Sequence, residues 1–260
     1  MWADNAYDAE GYDKPDMKMP FGQDELIQAV LKANPNTVVV LLGGGPIDVS
    51  AWAGQAKGIV EAWYPGMEGG NALASILFGE VNPSGKLPFT FPVKLEDSPA
   101  HKLGEYPSTP GNPLKQNYKE DIFVGYRYFD TYKVAPQFAF GHGLSYTSFD
   151  YGKLTVQPGK QSATVKVTVR NSGKVAGAEV VQLYVHDDQA SVKRPEKELK
   201  AFQKVFLKPG ESKTLTLSLG PNAFRYYDEA KKQWVLEPGT FKLLVGSSSR
   251  DIRQTGEVKL

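Results

Sequence analysis

Cysteine is absent from the 260 residues, and histidine occurs only three times, at His101, His142 and His186. A chain without cysteine has no disulfides, no thiolate metal ligands and no cysteine nucleophile. The three scattered histidines exclude a close-spaced metal motif. The sequence therefore predicts neither a metal nor any other cofactor.

Long hydrophobic runs and an excess of either charge are also missing. The longest strongly apolar run, residues 37–42, is far shorter than the roughly 20 residues of a membrane-spanning helix, and the first 20 residues are acidic and polar. We therefore expect no transmembrane and no signal segment. Lysine and arginine total 30 against 29 aspartates and glutamates, a net charge of +1. This balance gives no field to gather nucleic acid or an anionic membrane, so we expect neither as a partner.

The first third of the chain alternates between helical and extended patterns. Residues 23–33 predict a helix that ends at Asn34-Pro35, because its apolar residues fall on one face: Leu26, Ile27, Val30 and Leu31. The runs 37–42 and 58–64 predict strands buried on both faces, as in a parallel sheet. Residues 71–78 predict a second helix with Asn71 as its N-cap.

Two clear strands are too few to form a sheet that is covered on both faces. Residues 82–92 add only a turn and one short extended piece. The alternation of strands and helices is typical of an α/β domain. We therefore interpret residues 1–92 as an incomplete α/β domain.

The pattern changes twice after residue 92. Residues 93–149 contain five prolines and predict a long connecting loop region, interrupted by the aromatic run 122–129. Strict alternation of apolar and polar residues then predicts strands at 163–170, 179–185, 197–206, 213–219 and 240–245. This spacing predicts an all-β domain over residues 150–260, a β-sandwich of the immunoglobulin or fibronectin type III kind.

Three features are candidate sites for chemistry. The turn Gly43-Gly-Gly-Pro46 follows a predicted strand, where α/β proteins bind ligands, but it lacks the spacing of a nucleotide-binding loop and favours a tight strand-to-helix turn. Glu10 lies between Asp8 and Asp13, and like charges raise a carboxyl pKa toward the range of a general acid. Charge spacing alone equally describes a solvated acidic loop. The aromatic and charged segment 118–130 suits either a sugar site or a packing strip.

Residues 10–20, Glu10-Gly-Tyr-Asp-Lys-Pro-Asp-Met-Lys-Met-Pro20, resemble the segment EGYDR..M.LP of glycoside hydrolase family 3. Further segments follow in the order of that family: residues 32–38, 61–66, 71–79, 83–92, 120–130 and 138–149. Several long motifs in one order are more specific than any single motif. The resemblance covers the chain essentially end to end.

The resemblance implies a β-glucosidase-like retaining hydrolase with an N-terminal (β/α)8-type barrel, an α/β sandwich domain and a fibronectin type III-like domain. This chain resembles the second half of the sandwich domain followed by the third domain. In the family, an aspartate of the barrel is the nucleophile and a glutamate of a sandwich-domain loop is the general acid/base. Glu10 matches that glutamate, and Asp8 or Asp13 is the next candidate. No segment resembles the nucleophile motif, and the motifs leave the substrate-binding residues unknown.

By this resemblance we expect part of a retaining enzyme that hydrolyses terminal non-reducing β-D-glucosyl residues of a β-glucoside or oligosaccharide. The implied partner is a polypeptide that carries the barrel with its nucleophilic aspartate, and we expect this chain alone to be inactive. Association of several copies of the chain stays open. The resemblance favours a periplasmic or secreted location.

Two other classes of function compete with this interpretation. The chain could be a non-catalytic carbohydrate-binding or structural module of the same fold, with Trp52, Trp63 or the strip 126–129 as sugar platforms. It could also be a nucleotide-binding protein that uses residues 43–45, which we do not expect because the loop has no phosphate-binding spacing.

Overall fold

The computed structural model describes residue 14, residues 16–106 and residues 114–260. These residues form two compact units. Unit 1 comprises the described residues within 1–80, 91–121 and 135–138, and unit 2 comprises residues 81–90, 122–134 and 139–260. Among the helices of the described ranges, none is long and apolar enough to cross a membrane.

Short helices and strands alternate in the first 138 residues. In chain order they are α1 (Gln23–Ala33), β1 (Val38–Leu41), β2 (Gly58–Glu61), α2 (Gly69–Leu77), β3 (Phe91–Pro92), α3 (Pro99–Lys102), α4 (Tyr126–Thr131) and β4 (Pro136–Phe138). Strands β1 and β2 pair in parallel. Strands β3 and β4 pair antiparallel as a separate two-stranded sheet. The α/β character of this part is confirmed.

The first helix and strand lie where the sequence predicts them, although their burial differs. Helix α1 ends at Ala33, and Asn34 is extended (φ −143°), as expected before proline. In β1, Val39 and Leu41 are buried, but Val38 is 46% exposed. The prediction of burial on both faces is therefore wrong for this chain, because unit 1 covers only one face of β1. That face packs in a cluster with α1: Met19, Ile27, Leu31, Val39, Leu41, Val49 and Trp52.

Two local predictions about helices are also wrong. Helix α2 begins at Gly69, so Asn71 lies inside its first turn and is not the N-cap. The amide of Asn71 instead donates to the Glu68 carboxylate at 2.6 Å. No helix follows the Gly43–Pro46 turn, because residues 50–55 form turns and the next regular element is β2.

The second half is a β-sandwich. Its strands are β5 (Phe149–Tyr151), β6 (Thr155–Gly159), β7 (Ser162–Asn171), β8 (Gly177–Asp187), β9 (Glu198–Leu207), β10 (Ser212–Leu219), β11 (Tyr226–Asp228), β12 (Gln233–Val235), β13 (Thr240–Gly246) and β14 (Ile252–Lys259). One sheet has the order β10-β7-β5, with β6 also paired to β7, and the other has the order β14-β13-β8-β9. All pairs are antiparallel. The predicted sandwich is confirmed.

The sandwich core explains why the alternation is a reliable signal here. Val165, Val167 and Val169 of β7 and Leu183 of β8 are at most 1% exposed, while the intervening residues of β7 face outward. Strand β14 was missed because its inner face carries Gln254 and Gly256 instead of branched apolar residues. A Cβ at Gly256 would lie 2.8 Å from Leu154 and 2.9 Å from Val156, so a larger residue there would force these side chains to shift.

Candidate functional site

The residue predicted to be the general acid, Glu10, lies outside the described residues, as do its neighbours Asp8 and Asp13. Their role stays a prediction. The structure does describe the chain that follows. Lys14 is its first described residue, and Met19 is buried in the core of unit 1 at 8% exposure.

Two hydrogen bonds tie the chain after Glu10 to other parts of unit 1, and a third lies within it. The hydroxyl of Tyr106 donates to the Lys14 carbonyl at 3.0 Å. The Asp48 N–H donates to the Met17 carbonyl at 2.8 Å, and the Asp16 carboxylate accepts from Lys18 N–H at 3.0 Å. The segment that carries the predicted acid is therefore anchored to unit 1 just downstream of that residue.

A second carboxyl group lies at the carboxyl end of the parallel pair. Glu61 is the last residue of β2, opposite Leu41 at the end of β1. Its Oε1 accepts a hydrogen bond from the Trp63 N–H at 3.1 Å, and its Oε2 is buried without a hydrogen-bond partner among the described residues. Trp63 has a positive φ of 53°, which is strained for a non-glycine residue. Ligands of α/β proteins bind at this edge of the sheet.

Burial dominates the titration of Glu61. Desolvation disfavours the carboxylate and raises its pKa to about 7, and the bond from Trp63 N–H only partly opposes this effect. A carboxyl group that titrates near neutrality can donate or accept a proton at working pH. The sequence signal for this titration is weak, because Glu61 opens the family-like segment 61–66 but nothing in that segment shows that its carboxyl group is buried.

We expect Glu61→Gln to stabilise the protein at neutral pH but not in acid. The unfolded carboxyl titrates near 4.5 and the folded one near 7, so its contribution to stability is present below pH 4.5 and is lost as the pH rises through 7. Because the side chain keeps some solvent contact, the gain above pH 7 should be about 1 kcal/mol. That corresponds to a melting temperature about 2–4 °C higher.

Thermal melts of the variant and the parent chain at pH 4.5, 6 and 8 measure this effect. Glu96→Gln is the matched control, because Glu96 is exposed in the same unit. A difference between Glu61→Gln and the parent that is equal at all three pH values would contradict a titrating Glu61.

The aromatic residues proposed as sugar platforms are mostly packed inside the protein. Trp52 is fully buried, and its indole N–H donates to the Asp24 carboxylate at 2.7 Å. Tyr128 and Phe129 are 8% and 3% exposed. Their prediction as sugar platforms is wrong, because their faces are closed by protein. Trp63 is half-buried and meets Phe91 edge to face at 6.4 Å.

The strip 126–129 belongs to a helix that is fixed to the sandwich. Within unit 2, the Tyr126 ring stacks on Phe140 at 4.7 Å, and its hydroxyl accepts from Leu199 N–H at 2.8 Å. Arg127 pairs with Glu198 at 3.6 Å. The sequence allows segment 118–130 to be either a sugar site or a packing strip. The contacts of Tyr126 and Arg127 in α4 agree with the packing strip.

The remaining candidates for ligand binding have little support. The Gly43–Pro46 turn has no following helix whose N-terminus could hold a phosphate. In the part of the chain that the structure describes, no three histidine, aspartate or glutamate side chains are placed to hold a metal ion. Glu61 is the described carboxyl group whose pKa burial raises toward neutrality, and the role of Glu10 stays a prediction.

Comparisons with known proteins agree with the fold. Residues 1–146 match the glycosyl hydrolase family 3 C-terminal domain, and residues 179–249 match the fibronectin type III-like domain. The chain is 50% identical over 252 residues to beta-glucosidase BoGH3A of Bacteroides ovatus, covering 95% of this chain and 34% of that protein. It is 46% identical over 256 residues to an exo-alpha-(1->6)-L-arabinopyranosidase of Bifidobacterium breve, covering 98% of this chain and 33% of that protein.

A solved structure gives the same result in three dimensions. The fold superposes on the GH3 beta-glucosidase of Bifidobacterium adolescentis with a TM-score of 0.92 at 45% identity, covering 97% of this chain and 37% of that one. The chain spans about a third of the length of the curated relatives it matches. It belongs to glycoside hydrolase family 3, of which it carries the C-terminal domain followed by a fibronectin type III-like domain.

Proposed function

We propose that this chain supplies the general acid/base, Glu10, of a retaining β-glucosidase whose nucleophilic aspartate lies on a barrel domain outside these 260 residues. The observation that carries the proposal is the family match over residues 1–146, since this range includes the Glu10-Gly-Tyr-Asp13 segment. Similarity to a protein named as a beta-glucosidase over 95% of the chain supports the same activity.

The chemistry requires two carboxyl groups roughly 5–5.5 Å apart. The aspartate attacks the anomeric carbon while Glu10 protonates the departing glycosidic oxygen, which gives a glycosyl-enzyme and a free aglycone. Glu10, now ionised, then removes a proton from water, and the water oxygen displaces the aspartate. The two displacements together retain the β configuration.

We propose a β-D-glucoside as substrate and treat the sugar as open to test, because one similar protein is named as an arabinopyranosidase. The alternative of a free-standing carbohydrate-binding module has less support, since Trp52, Tyr128 and Phe129 are buried.

Mixing this chain with a polypeptide that carries a family 3 barrel tests the proposal. Hydrolysis of 4-nitrophenyl β-D-glucoside and of 4-nitrophenyl α-L-arabinopyranoside should be absent for either piece alone and present for the mixture, with the glucoside preferred. Nuclear magnetic resonance of the fresh product should show β-glucose first. An inactive mixture of two folded pieces, or activity of this chain alone, would overturn the proposal that the acid/base and the nucleophile lie on different polypeptides.

A further inference from the structure

Unit 2 contains an open cavity between the start of β9 and the chain that follows β10. Its volume is about 550 Å³, which lies within the range of ligand pockets in proteins. Residues 199–200, 218–223 and 225 line it. Leu219 and Ala223 are 3% and 8% exposed and belong to the core of the sandwich. One part of the wall is therefore apolar and held in place by the core.

The charged residues of this lining are all cations. Among the described residues that line the cavity, Lys200 and Arg225 are ionisable and none is acidic. Ser218 and Asn222 add a hydroxyl and an amide group, which also bind oxygen atoms of a ligand. This set of side chains favours an anion over a neutral sugar.

Lys200 belongs to a cluster in which cations outnumber carboxylates. Its Nζ lies 3.3 Å from the Glu198 carboxylate, which also pairs with Arg194 at 2.8 Å and with Arg127 at 3.6 Å. Arg194 has a second partner in Asp187 at 3.0 Å. Three cations thus share two carboxylates, and one positive charge of the cluster is left over.

Arg225 supplies a second positive charge. Its guanidinium donates to the Gln161 side chain at 3.0 Å, and it forms no ion pair in the part of the chain that the structure describes. A guanidinium has five N–H donors, so Arg225 can keep this bond and still bind a ligand. Together with the excess charge of the Lys200 cluster, it places two uncompensated positive charges at the cavity.

Burial makes the uncompensated charge at Lys200 costly. The side chain is 17% exposed, and desolvation lowers its pKa below the ordinary value of 10.5 although Glu198 opposes this shift. An anion in the cavity removes part of this cost, because it gives the ammonium group a second partner. The free energy gained in that way contributes to the affinity for the anion.

We propose that this cavity is a binding site for a phosphate dianion, free or as the monoester of a small molecule. Two positive charges match a phosphate group at neutral pH, whose charge is about −1.5 to −2. Arg225 binds two phosphate oxygens through its planar fork, and Lys200 acts as a point charge. The site contains neither Glu10 nor Glu61, so it goes beyond the proposed glucosidase activity and does not depend on it.

Calorimetric titration of this chain with three probes tests the site. The probes are inorganic phosphate, glucose 6-phosphate and glucose, in a phosphate-free buffer of low salt at pH 7.5. We expect both phosphates to bind at one site per chain and glucose not to bind. Tighter binding of glucose 6-phosphate than of inorganic phosphate would identify a monoester as the ligand, because its carbon body packs on the apolar wall. Equal or weaker binding of the monoester would identify free phosphate.

Absence of binding for both phosphates, or equal binding of glucose, would overturn the proposal. Arg225→Gln and Lys200→Gln should each weaken phosphate binding about 10- to 100-fold, the size of a hydrogen bond to a charged group. Both variants should fold, because Arg225 loses only its bond to Gln161, and Glu198 keeps Arg194 when Lys200 is replaced. Thermal melts without phosphate check the folding.

Arg170→Gln is the matched control, because it removes the same charge from an exposed position of β7 that does not line the cavity. It should change the affinity for phosphate by less than about 2-fold. If it weakens binding as much as Arg225→Gln does, phosphate responds to the net charge of the protein and the proposed site is wrong. The proposal also fails if folded Arg225→Gln binds phosphate as tightly as the parent chain.

Discussion

Replacing Glu10 with alanine should lower hydrolysis of unactivated β-glucosides by the assembled enzyme about 10²- to 10⁴-fold, the range that general acid catalysis contributes. The leaving oxygen of an alkyl glucoside or of cellobiose departs as an alcohol only if it receives a proton. A 2,4-dinitrophenolate needs no proton, so that substrate should form the glycosyl-enzyme at nearly the parent rate. Steady-state kinetics on both substrates give the comparison.

Azide provides the positive test of the same variant. With Glu10 gone, no base activates water, and the glycosyl-enzyme accumulates. Azide is a nucleophile that needs no base, so it should displace the aspartate, restore turnover of the dinitrophenyl substrate and yield β-glucosyl azide. Asp8→Asn and Asp13→Asn are assayed beside it. If azide rescues one of these and not Glu10→Ala, the acid/base role moves to that residue.

Alternation predicts five strands of the sandwich, β7, β8, β9, β10 and β13, because one physical rule governs them. It misses β14 and the short strands β5, β6, β11 and β12. In the five predicted strands every second residue is apolar and faces the core, as Val165, Val167 and Val169 do. Glycine, proline and asparagine mark the turns between the strands.

Strand β14 breaks the rule, because Gln254 and Gly256 lie on its inner face. Its position in the sandwich depends on contacts with residues distant in the sequence, such as Leu154 and Val156. Whether such a segment forms a strand is determined by tertiary packing and not by local alternation of apolar and polar residues.

The candidate site was predictable only where a motif marks it. Glu10 was found through resemblance, since its charge pattern alone equally describes a solvated loop. Glu61 opens the family-like segment 61–66, but its raised pKa comes from burial and carries no local signal. The contact of Tyr106 with a carbonyl distant in the chain carries none either. The same applies to Trp52, whose burial beside Asp24 cannot be read from its neighbours in the chain. Long-range contacts set the properties of these side chains.

A second large effect is expected at Asp130, the last residue of the 120–130 motif. Its side chain is 3% exposed in unit 2 and meets Lys197 Nζ at 3.0 Å and the Arg250 guanidinium on its other oxygen. Arg250 also donates to the carbonyls of Phe129 and Val134 at 3.0 and 2.9 Å. Asp130 thus neutralises two cations where α4 meets the sandwich.

Asp130→Ala should lower the free energy of unfolding by about 3–5 kcal/mol, because it leaves the buried Lys197 ammonium without a counter-charge. Urea denaturation measures the change. Asp150→Ala, at an exposed position of β5, should change the same quantity by less than about 0.5 kcal/mol. A loss below about 1 kcal/mol for Asp130→Ala would mean that water solvates Lys197 in place of the carboxylate.

The cost arises from the unpaired charge and not from the lost contact, and a double variant separates the two. Asp130→Leu combined with Lys197→Met replaces the pair with apolar groups of similar size, which is often neutral or stabilising at buried ion pairs. Arg250 keeps its two carbonyl bonds and is 39% exposed, so water can solvate it in the double variant. The double variant should therefore recover most of the stability that Asp130→Ala loses. If it is as unstable as Asp130→Ala, then α4 is held by the geometry of the Asp130 carboxylate rather than by charge balance.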